Sequence, residues 1–551
     1  MQKKNSNSRN GGTAEADLLM SGQGPHTPVS STQRLAQAVS LHLRGEKDAA
    51  LRVLENVDRN GDGSELAEIN AARGHMQFEL RRFEEAAASY ARLSEIRADD
   101  AEVRFNLGLC YQNLGRHTIA LEHFLMALSL GSKRLETQLA AGACLLHLNK
   151  HEEALEAFEA ALAIAPESEA AWFGKAVALQ MAWEFDEAAP LYQRILERNP
   201  KSEESLVNLI SLGMQRKDHD MVRGYAERLL AIRPDAQAAL EGLASIGFAN
   251  EDFEAAARYS SRLTEIAPQS YDHWFNLGVA DQRLGHLDQA AQAYLRARDL
   301  RPDAIFAYIN LGVVYQETNN LVLAQAAFSR AVQLAPDRDD LRYQLAWIVE
   351  RQESADEAEA LYAQLVEKNP DLENAWFRLG YLKLRRGDHA GSIEAFRTCL
   401  KKRPEWPDAE INLGMAYWEA GQYEQAEIIL ERLLLRDPKC VDALKGLAAT
   451  ALKRNQQDKA LAWHRRLIEA GEATPEVLYN SGLLAQQLHK PADAAQFYRF
   501  ALELKPRFPE ALLNLGHAFE ALGQKHEARR CWTSALELNP ELARGYFHAN
   551  L

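Results

Sequence analysis

Cysteine is scarce and scattered. Cys110, Cys144, Cys399, Cys440 and Cys531 are the whole set in 551 residues, and no two stand in a Cys-x-x-Cys pair. That spacing excludes a zinc-finger framework and a disulfide scaffold. No stretch approaches the roughly 20 apolar residues that a bilayer-spanning helix needs. The opening Met-Gln-Lys-Lys leads into Ser, Asn and Gly and not into an apolar signal segment, so a cytoplasmic location is expected. Basic residues form no stripe: 63 Lys and Arg are intermixed with 78 Asp and Glu, for a formal net charge of −15. Such a surface has no means of neutralising a phosphate backbone, and neither nucleic acid nor membrane is expected as a partner. A phosphate-cradling glycine loop, a nucleophile elbow and a paired-carboxylate site are likewise missing, so no catalytic residue and no cofactor is expected.

What the chain has in quantity is periodicity. Pro166, Pro200, Pro234, Pro268, Pro302, Pro336, Pro370, Pro404 and Pro438 follow one another every 34 residues, and Pro506 and Pro540 continue in register, with Glu472 interrupting the series. Extended back to residue 67, this ruler marks fourteen units without insertion or deletion. With each unit numbered 1 to 34, position 8 is Gly in nine units, including Gly108, Gly278, Gly312, Gly414 and Gly516, and position 20 is Ala in twelve, including Ala120, Ala154, Ala290, Ala324 and Ala426. Large apolar residues recur at positions 4, 7, 11 and 24, as in Tyr308, Leu311, Tyr315 and Phe328. These are helical spacings, and they predict two antiparallel helices per unit, A over positions 2 to 14 and B over 18 to 30. Small residues at 8 and 20 let the backbones approach. Gly or Asn at position 15, as in Gly115, Gly285, Asn319, Gly387, Gly421 and Gly523, suits a left-handed cap ending helix A, and the proline at 32 stops helix B.

With Ala127, Ala161, Ala297, Ala331, Ala501 and Ala535 at position 27, the pattern resembles the tetratricopeptide repeat. The resemblance implies an all-α fold, a solenoid of fourteen full repeats wound as a right-handed superhelix, with helix A lining the concave side. One unit cannot bury its own apolar face, so stability is expected from stacking between neighbours.

The expected organisation is a polar tail over 1–30, a cap helix pair with an Asp/Gly-rich loop over 31–66, fourteen repeats over 67–542, and a short helical end over 543–551. The cap helices are expected at 33–44 and 47–57, joined by Arg44-Gly45-Glu46. Two departures predict weak points. In residues 203–270, Ile210 replaces the small residue at position 8, Gly213 and Gly247 replace the aromatic at 11, and Val222 replaces Ala, which predicts a softer segment or a change in superhelical curvature. The unit 441–474 lacks its proline and has Ala451 where an aromatic is usual.

Positions 2, 6, 9 and 13 of helix A fall on the arc opposite the core positions and are expected to face the groove. Position 6 is Asn106, Asn208, Asn276, Asn310, Asn412, Asn480 and Asn514, with Gln344 as a close substitute. Asn is a mediocre helix former, so its return needs a cause beyond propensity. An amide carries donor and acceptor together and can pair with a peptide backbone whatever its sequence. This pattern resembles the asparagine ladder in the repeat region of O-linked N-acetylglucosamine transferases, which implies that these residues grip an extended chain; the competing reading has them bonding between neighbouring helices. Position 5 carries Phe105, Phe173, Phe275, Tyr343, Phe377 and Tyr479, read as packing between helices before ligand contact. Position 2 is acidic in ten units, including Glu102, Glu136, Asp272, Asp340 and Asp408, which the helix dipole favours by itself. Lys445 alone at position 5 does not complete the basic clamp that repeat proteins use for chaperone C-termini.

Asp58, Asn60 and Asp62 resemble the first half of an EF-hand calcium loop, but Ile69 stands where the bidentate Glu belongs, so an ordinary turn is the competing reading. His147 and His151 are separated by the A-to-B turn and do not form a metal pair. Three functional classes follow. The first is a non-enzymatic scaffold or adaptor that binds a protein or peptide partner in the groove. The second is an assembly subunit, homo-oligomeric through the thinly capped C-terminal end, and the third is a substrate-recruiting subunit of a separate enzyme.

Overall fold

A computed structural model describes residues 31–55 and 63–545. Among these residues are thirty α-helices and a closing 3-10 turn, Pro540–Gly545. The cap helices are Ser31–Leu43 and Lys47–Glu55, with Gly45 between them at φ +82°. Each later repeat contributes one A and one B helix, as in Ala101–Asn113 with His117–Ser129 and Ile305–Glu317 with Leu321–Leu334. Both therefore begin one residue earlier in the repeat than the sequence pattern predicts. Asp58, Asn60 and Asp62 lie outside the described residues, as does the chain after 545. The helix Gly63–Glu79 takes up the positions that would form the second half of a twelve-residue calcium loop.

The chain divides into two units, Met1–Pro268 and Gln269–Leu551. The first holds the cap pair and the repeats beginning at 67, 101, 135, 169, 203 and 237; the second holds the rest. In each, the core is a series of clusters shared by adjacent repeats, such as Phe124 with Ala141, Cys144 and Phe158 in the first and Tyr362 with Leu365, Ala375 and Leu379 in the second. Consecutive A helices touch directly, Leu135–His147 against Glu169–Met181 and Pro407–Glu419 against Val441–Lys453, whereas no two successive B helices among the described residues approach as closely. The A row is therefore the tighter side of each unit.

The small residue at position 8 receives the ring at position 24 of its own repeat. A Cβ added to Gly108 would lie 2.6 Å from Phe124, and one added to Gly278 or Gly312 would lie 2.7 Å from Tyr294 or Phe328. Ala at positions 20 and 27 is fully buried, as in Ala120 with Ala127 and Ala324 with Ala331. Cys399 occupies position 27 of its repeat in the same way, and Cys110 and Cys144 both occupy position 10; all three thiols are buried, and burial pushes them up to about 12, about 12 and about 11 respectively. They serve as small apolar side chains.

The segment 203–270 does not lose its packing bulk. Position 24 is small there, Ala226 and Ser260, and Ile210 and Val222 refill the space from the opposite side, fully buried with Leu206, Leu209 and Leu212 in one cluster. Gly213 and Gly247 make room for this inversion: a Cβ on Gly213 would meet Val222 at 2.8 Å, and one on Gly247 the Ala256 backbone nitrogen at 2.8 Å. In packing volume the four substitutions compensate one another as a set. In the unit lacking proline, Gln457–Glu469 stops instead at Gly471, φ +102°, and His117–Ser129 stops likewise at Gly131, φ +86°.

Candidate functional site

Positions 2 and 13 of the A helices stand exposed, as Glu102, Glu136, Asn113 and His147 do, while position 6 is exposed or half-buried where it carries an amide and buried at Ala140, Gly174 and Gly242. Position 6 points toward the repeat before it. At Gly446, which occupies this position, an added Cβ would meet Leu430, position 24 of the preceding repeat, at 2.7 Å. An asparagine there lays its stem over the neighbour's core residue and brings its amide to the surface of the A row.

The eight predicted amides meet different fates. None is buried; Asn276, Gln344 and Asn480 are exposed and the other five half-buried. Asn412 Nδ2 donates to its own helix at Asp408 O, 2.7 Å, and Asn514 Nδ2 donates to the Tyr479 hydroxyl of the preceding repeat, 2.9 Å. Asn310 shares a hydrogen bond with the Tyr294 hydroxyl. For Asn106, Asn208, Asn276, Gln344 and Asn480 there is no side-chain hydrogen bond to another described group. The ladder is continuous over Asn276, Asn310 and Gln344 and again over Asn480 and Asn514, and it is interrupted where Ala140, Gly174, Gly242 or Gly446 takes the position.

Arg378 occupies position 6 between Gln344 and Asn412 and turns it to a structural use. Its guanidinium grips Glu350 of the preceding repeat with both arms, Nε at 2.9 Å from Oε2, and Glu350 in turn accepts from the Tyr362 hydroxyl at 3.2 Å. Glu350 is position 12, and the same position accepts the position 24 hydroxyl elsewhere: Tyr294 donates to Gln282 at 2.9 Å, Tyr498 to Gln486 at 3.0 Å and Tyr192 to Gln180 at 3.2 Å. The sequence reading missed these pairs, although the co-occurrence of Tyr at 24 with Gln or Glu at 12 was a usable signal. It also missed position 3, buried in Val103 and in Ala307.

The position 5 aromatics pack within their own repeats. Phe105 lies 5.8 Å from Phe124, Phe173 5.7 Å from Tyr192, Phe275 5.6 Å from Tyr294 and Tyr343 5.6 Å from Tyr362, centroid to centroid. Phe377 and Tyr479 repeat the contact with Phe396 and Tyr498 at 5.7 and 5.8 Å. Among the position 2 acids, Asp340 is held below its ordinary range by its hydrogen bond to Arg338, and Glu102 pairs with Arg134 at 3.3 Å. His147 stacks on His117, centroids 4.2 Å apart, and not with His151.

A cluster that the sequence does not reveal joins the cap to the first repeat: His42 Nε2 lies 2.7 Å and Lys47 Nζ 3.0 Å from Glu79 Oε2, and His75 Nε2 lies 3.5 Å from Glu79 Oε1. Two imidazoles and a carboxylate are a donor set for a divalent metal. Here the Lys47 ammonium already occupies the carboxylate, so the arrangement acts as an ion-paired clasp. His42 and then Lys47, through their hydrogen bonds, pull the Glu79 carboxyl down to about 2.

Models of the tetratricopeptide repeat match residues 99–167, 145–211, 275–339 and 509–542. The chain is a tetratricopeptide-repeat protein. A further model, the middle tetratricopeptide-like domain of cilia and flagella-associated protein 70, matches residues 341–443. No curated protein matches this tetratricopeptide-repeat chain. Among solved structures it is similar to YrrB, described as a TPR protein with an unusual peptide-binding site, at 23% identity over 34% of this chain and 97% of that one, TM-score 0.31. It is also similar to a tetratricopeptide repeat protein from Parabacteroides merdae, at 16% identity over 49% and 99%, TM-score 0.34. The APC/C hetero-tetramer Cut9–Hcn1 matches at 15% identity over 82% and 96%, TM-score 0.32. No described helix is long and apolar enough to cross a membrane.

Proposed function

We propose that this tetratricopeptide-repeat protein is a non-enzymatic cytoplasmic adaptor that binds extended peptide segments of partner proteins along the A-helix row of its repeats. The observation that carries the reading is that five position 6 amides, Asn106, Asn208, Asn276, Gln344 and Asn480, stand at the surface of that row with their hydrogen-bonding capacity unspent inside the protein. An amide in that state pairs with a peptide backbone without regard to side chains, so affinity is broad and built from many weak contacts. Asn310, Asn412 and Asn514 belong to the ladder as members that exchange an internal bond for one to ligand.

The test replaces Asn276, Gln344 and Asn480 together with Ala and measures capture of an array of extended peptides alongside urea unfolding. Binding weakened about tenfold or more, at unchanged unfolding midpoint, is the expected result; each lost amide pair is worth about 0.5–1.5 kcal/mol. Undiminished capture by the triple variant rejects the ladder as a recognition device.

A further inference from the structure

Between the A helices Pro407–Glu419 and Val441–Lys453 lies an open cavity of about 530 Å³. Its origin is a coincidence of small residues. Between Tyr271–Arg283 and Ile305–Glu317 the Tyr294 ring at position 24 meets the Asn310 side chain at position 6 of the next repeat; here those positions hold Leu430 and Gly446, with Gly414 beneath. The floor is apolar, Leu430 and Ile411, and Met415, 53% exposed, forms part of the wall. The volume falls within the ~300–1,000 Å³ typical of ligand pockets.

The polar groups around the cavity set its chemistry. Trp418 lines it, and the indole Nε1–H is buried with no hydrogen-bond partner, a donor that a desolvated site rarely leaves idle. Glu419 and Asp442 stand exposed at the rim, and no ion pair among the described residues engages either. The nearby Lys445 is neutralised by Glu472 at 3.2 Å, and the Lys453 ammonium lies 5.4 Å from the Trp418 ring centroid. The rim therefore presents two carboxylates, outside any ion pair among the described residues, around an apolar well.

We infer that this cavity is a specificity pocket for a peptide segment carrying one large apolar side chain flanked by Lys or Arg. The side chain fills the well over Leu430 and beside Trp418, and the flanking cations pair with Glu419 and Asp442. The inference rests on the reading of the A row as a peptide-binding face and adds the sequence preference that an amide ladder cannot supply.

The experiment uses the full chain and fluorescein-labelled peptides of one Gly-Ser background with a central Lys-Phe-Lys, Glu-Phe-Glu or Lys-Ala-Lys, read by anisotropy. The expected order has Lys-Phe-Lys bound about tenfold or more tightly than either other peptide, the scale set by burying one aromatic side chain. Gly446→Asn, which restores the ladder residue and closes the well, removes the preference for Phe over Ala. Glu419→Lys with Asp442→Lys, both exposed and harmless to folding, reverses the charge preference toward Glu-Phe-Glu. Equal binding of Lys-Phe-Lys and Lys-Ala-Lys, or a preference for Phe that survives Gly446→Asn, overturns the pocket. If the Asn276, Gln344 and Asn480 triple variant loses all three peptides while Gly446→Asn changes nothing, the pocket fails and the ladder stands. If Lys-Phe-Lys binding responds only to Gly446→Asn, the pocket stands and the ladder fails.

Discussion

Position 15 of every repeat holds a left-handed backbone, from φ 56° at Asn319 and His489 to 87° at Gly387, whether or not glycine stands there. The cause is the turn between helices A and B, in which the amide of position 16 donates back to the carbonyl of position 11: Arg116 to Tyr111 at 2.9 Å, His286 to Asp281 at 2.8 Å, Asn320 to Tyr315 at 2.7 Å. That closure ends helix A and satisfies a carbonyl that would otherwise be orphaned. For Arg81, Trp183, Lys217, Glu251, Glu353 and His489 it forces a conformation that costs roughly 1–2 kcal/mol where a Cβ is present. Replacing Glu353 with Gly is therefore expected to stabilise the protein by about 1 kcal/mol, measured by urea denaturation. Gly278→Ala is expected to do the opposite by about 1–3 kcal/mol, because its new methyl must displace the Tyr294 ring. A Gly278→Ala variant as stable as wild type would show that the ring at position 24 yields freely.

At the scale of helices, what joins one element to the next is partly packing and partly a few polar contacts between side chains. The clasp of Glu79 with His42, Lys47 and His75 ties the cap helix Ser31–Leu43 and the start of Lys47–Glu55 to Gly63–Glu79. Its pH dependence has a definite sign. Glu79 titrates near 4.5 in an unfolded chain and near about 2 in the folded one, so the unfolded state binds the proton first. The stabilisation is complete above pH 4.5 and is lost as pH falls toward 2. Acid unfolding of the cap, followed by hydrogen exchange in residues 31–55, is expected to separate wild type from Glu79→Gln at neutral pH and to bring the two together near pH 2. A constant difference down to pH 2 would remove the clasp as its cause.

Across the whole chain, cores are shared only by adjacent repeats, so a defect has no long-range route other than through its neighbours. Arg378→Met tests this. It leaves Glu350, whose side chain is 8% exposed, without its cation, at a cost of roughly 2–3 kcal/mol; this is somewhat below the ~3–5 of a fully buried pair because Arg378 itself keeps some solvent. Faster hydrogen exchange is expected in residues 339–406 and unchanged protection in 101–168. A uniform loss of protection would mean that the repeats unfold as one block.

Much of this architecture was legible before any coordinates. Pro166 to Pro540, the glycines at position 8 and the alanines at 20 and 27 specify helix number and, to one residue, helix bounds, because capping, chain stops and close approach act within a single repeat. The roles of Ile210 and Val222 were not legible, since their meaning depends on Ala226 and Ser260 being small at the same time. Nor was the fate of position 6: Asn514 is bonded because Tyr479 stands 35 residues earlier, and Arg378 is bonded because Glu350 stands 28 residues earlier.

Sequence alone decided the repeat, its period, its helices and the polar identity of the exposed A row, all consequences of forces that operate over a few residues. Tertiary structure decided which amides remain unspent and that Leu430 and Gly446 leave a well beside Trp418. Each of these is set by what the neighbouring repeat places opposite, and a local pattern carries no record of its neighbour's side chains.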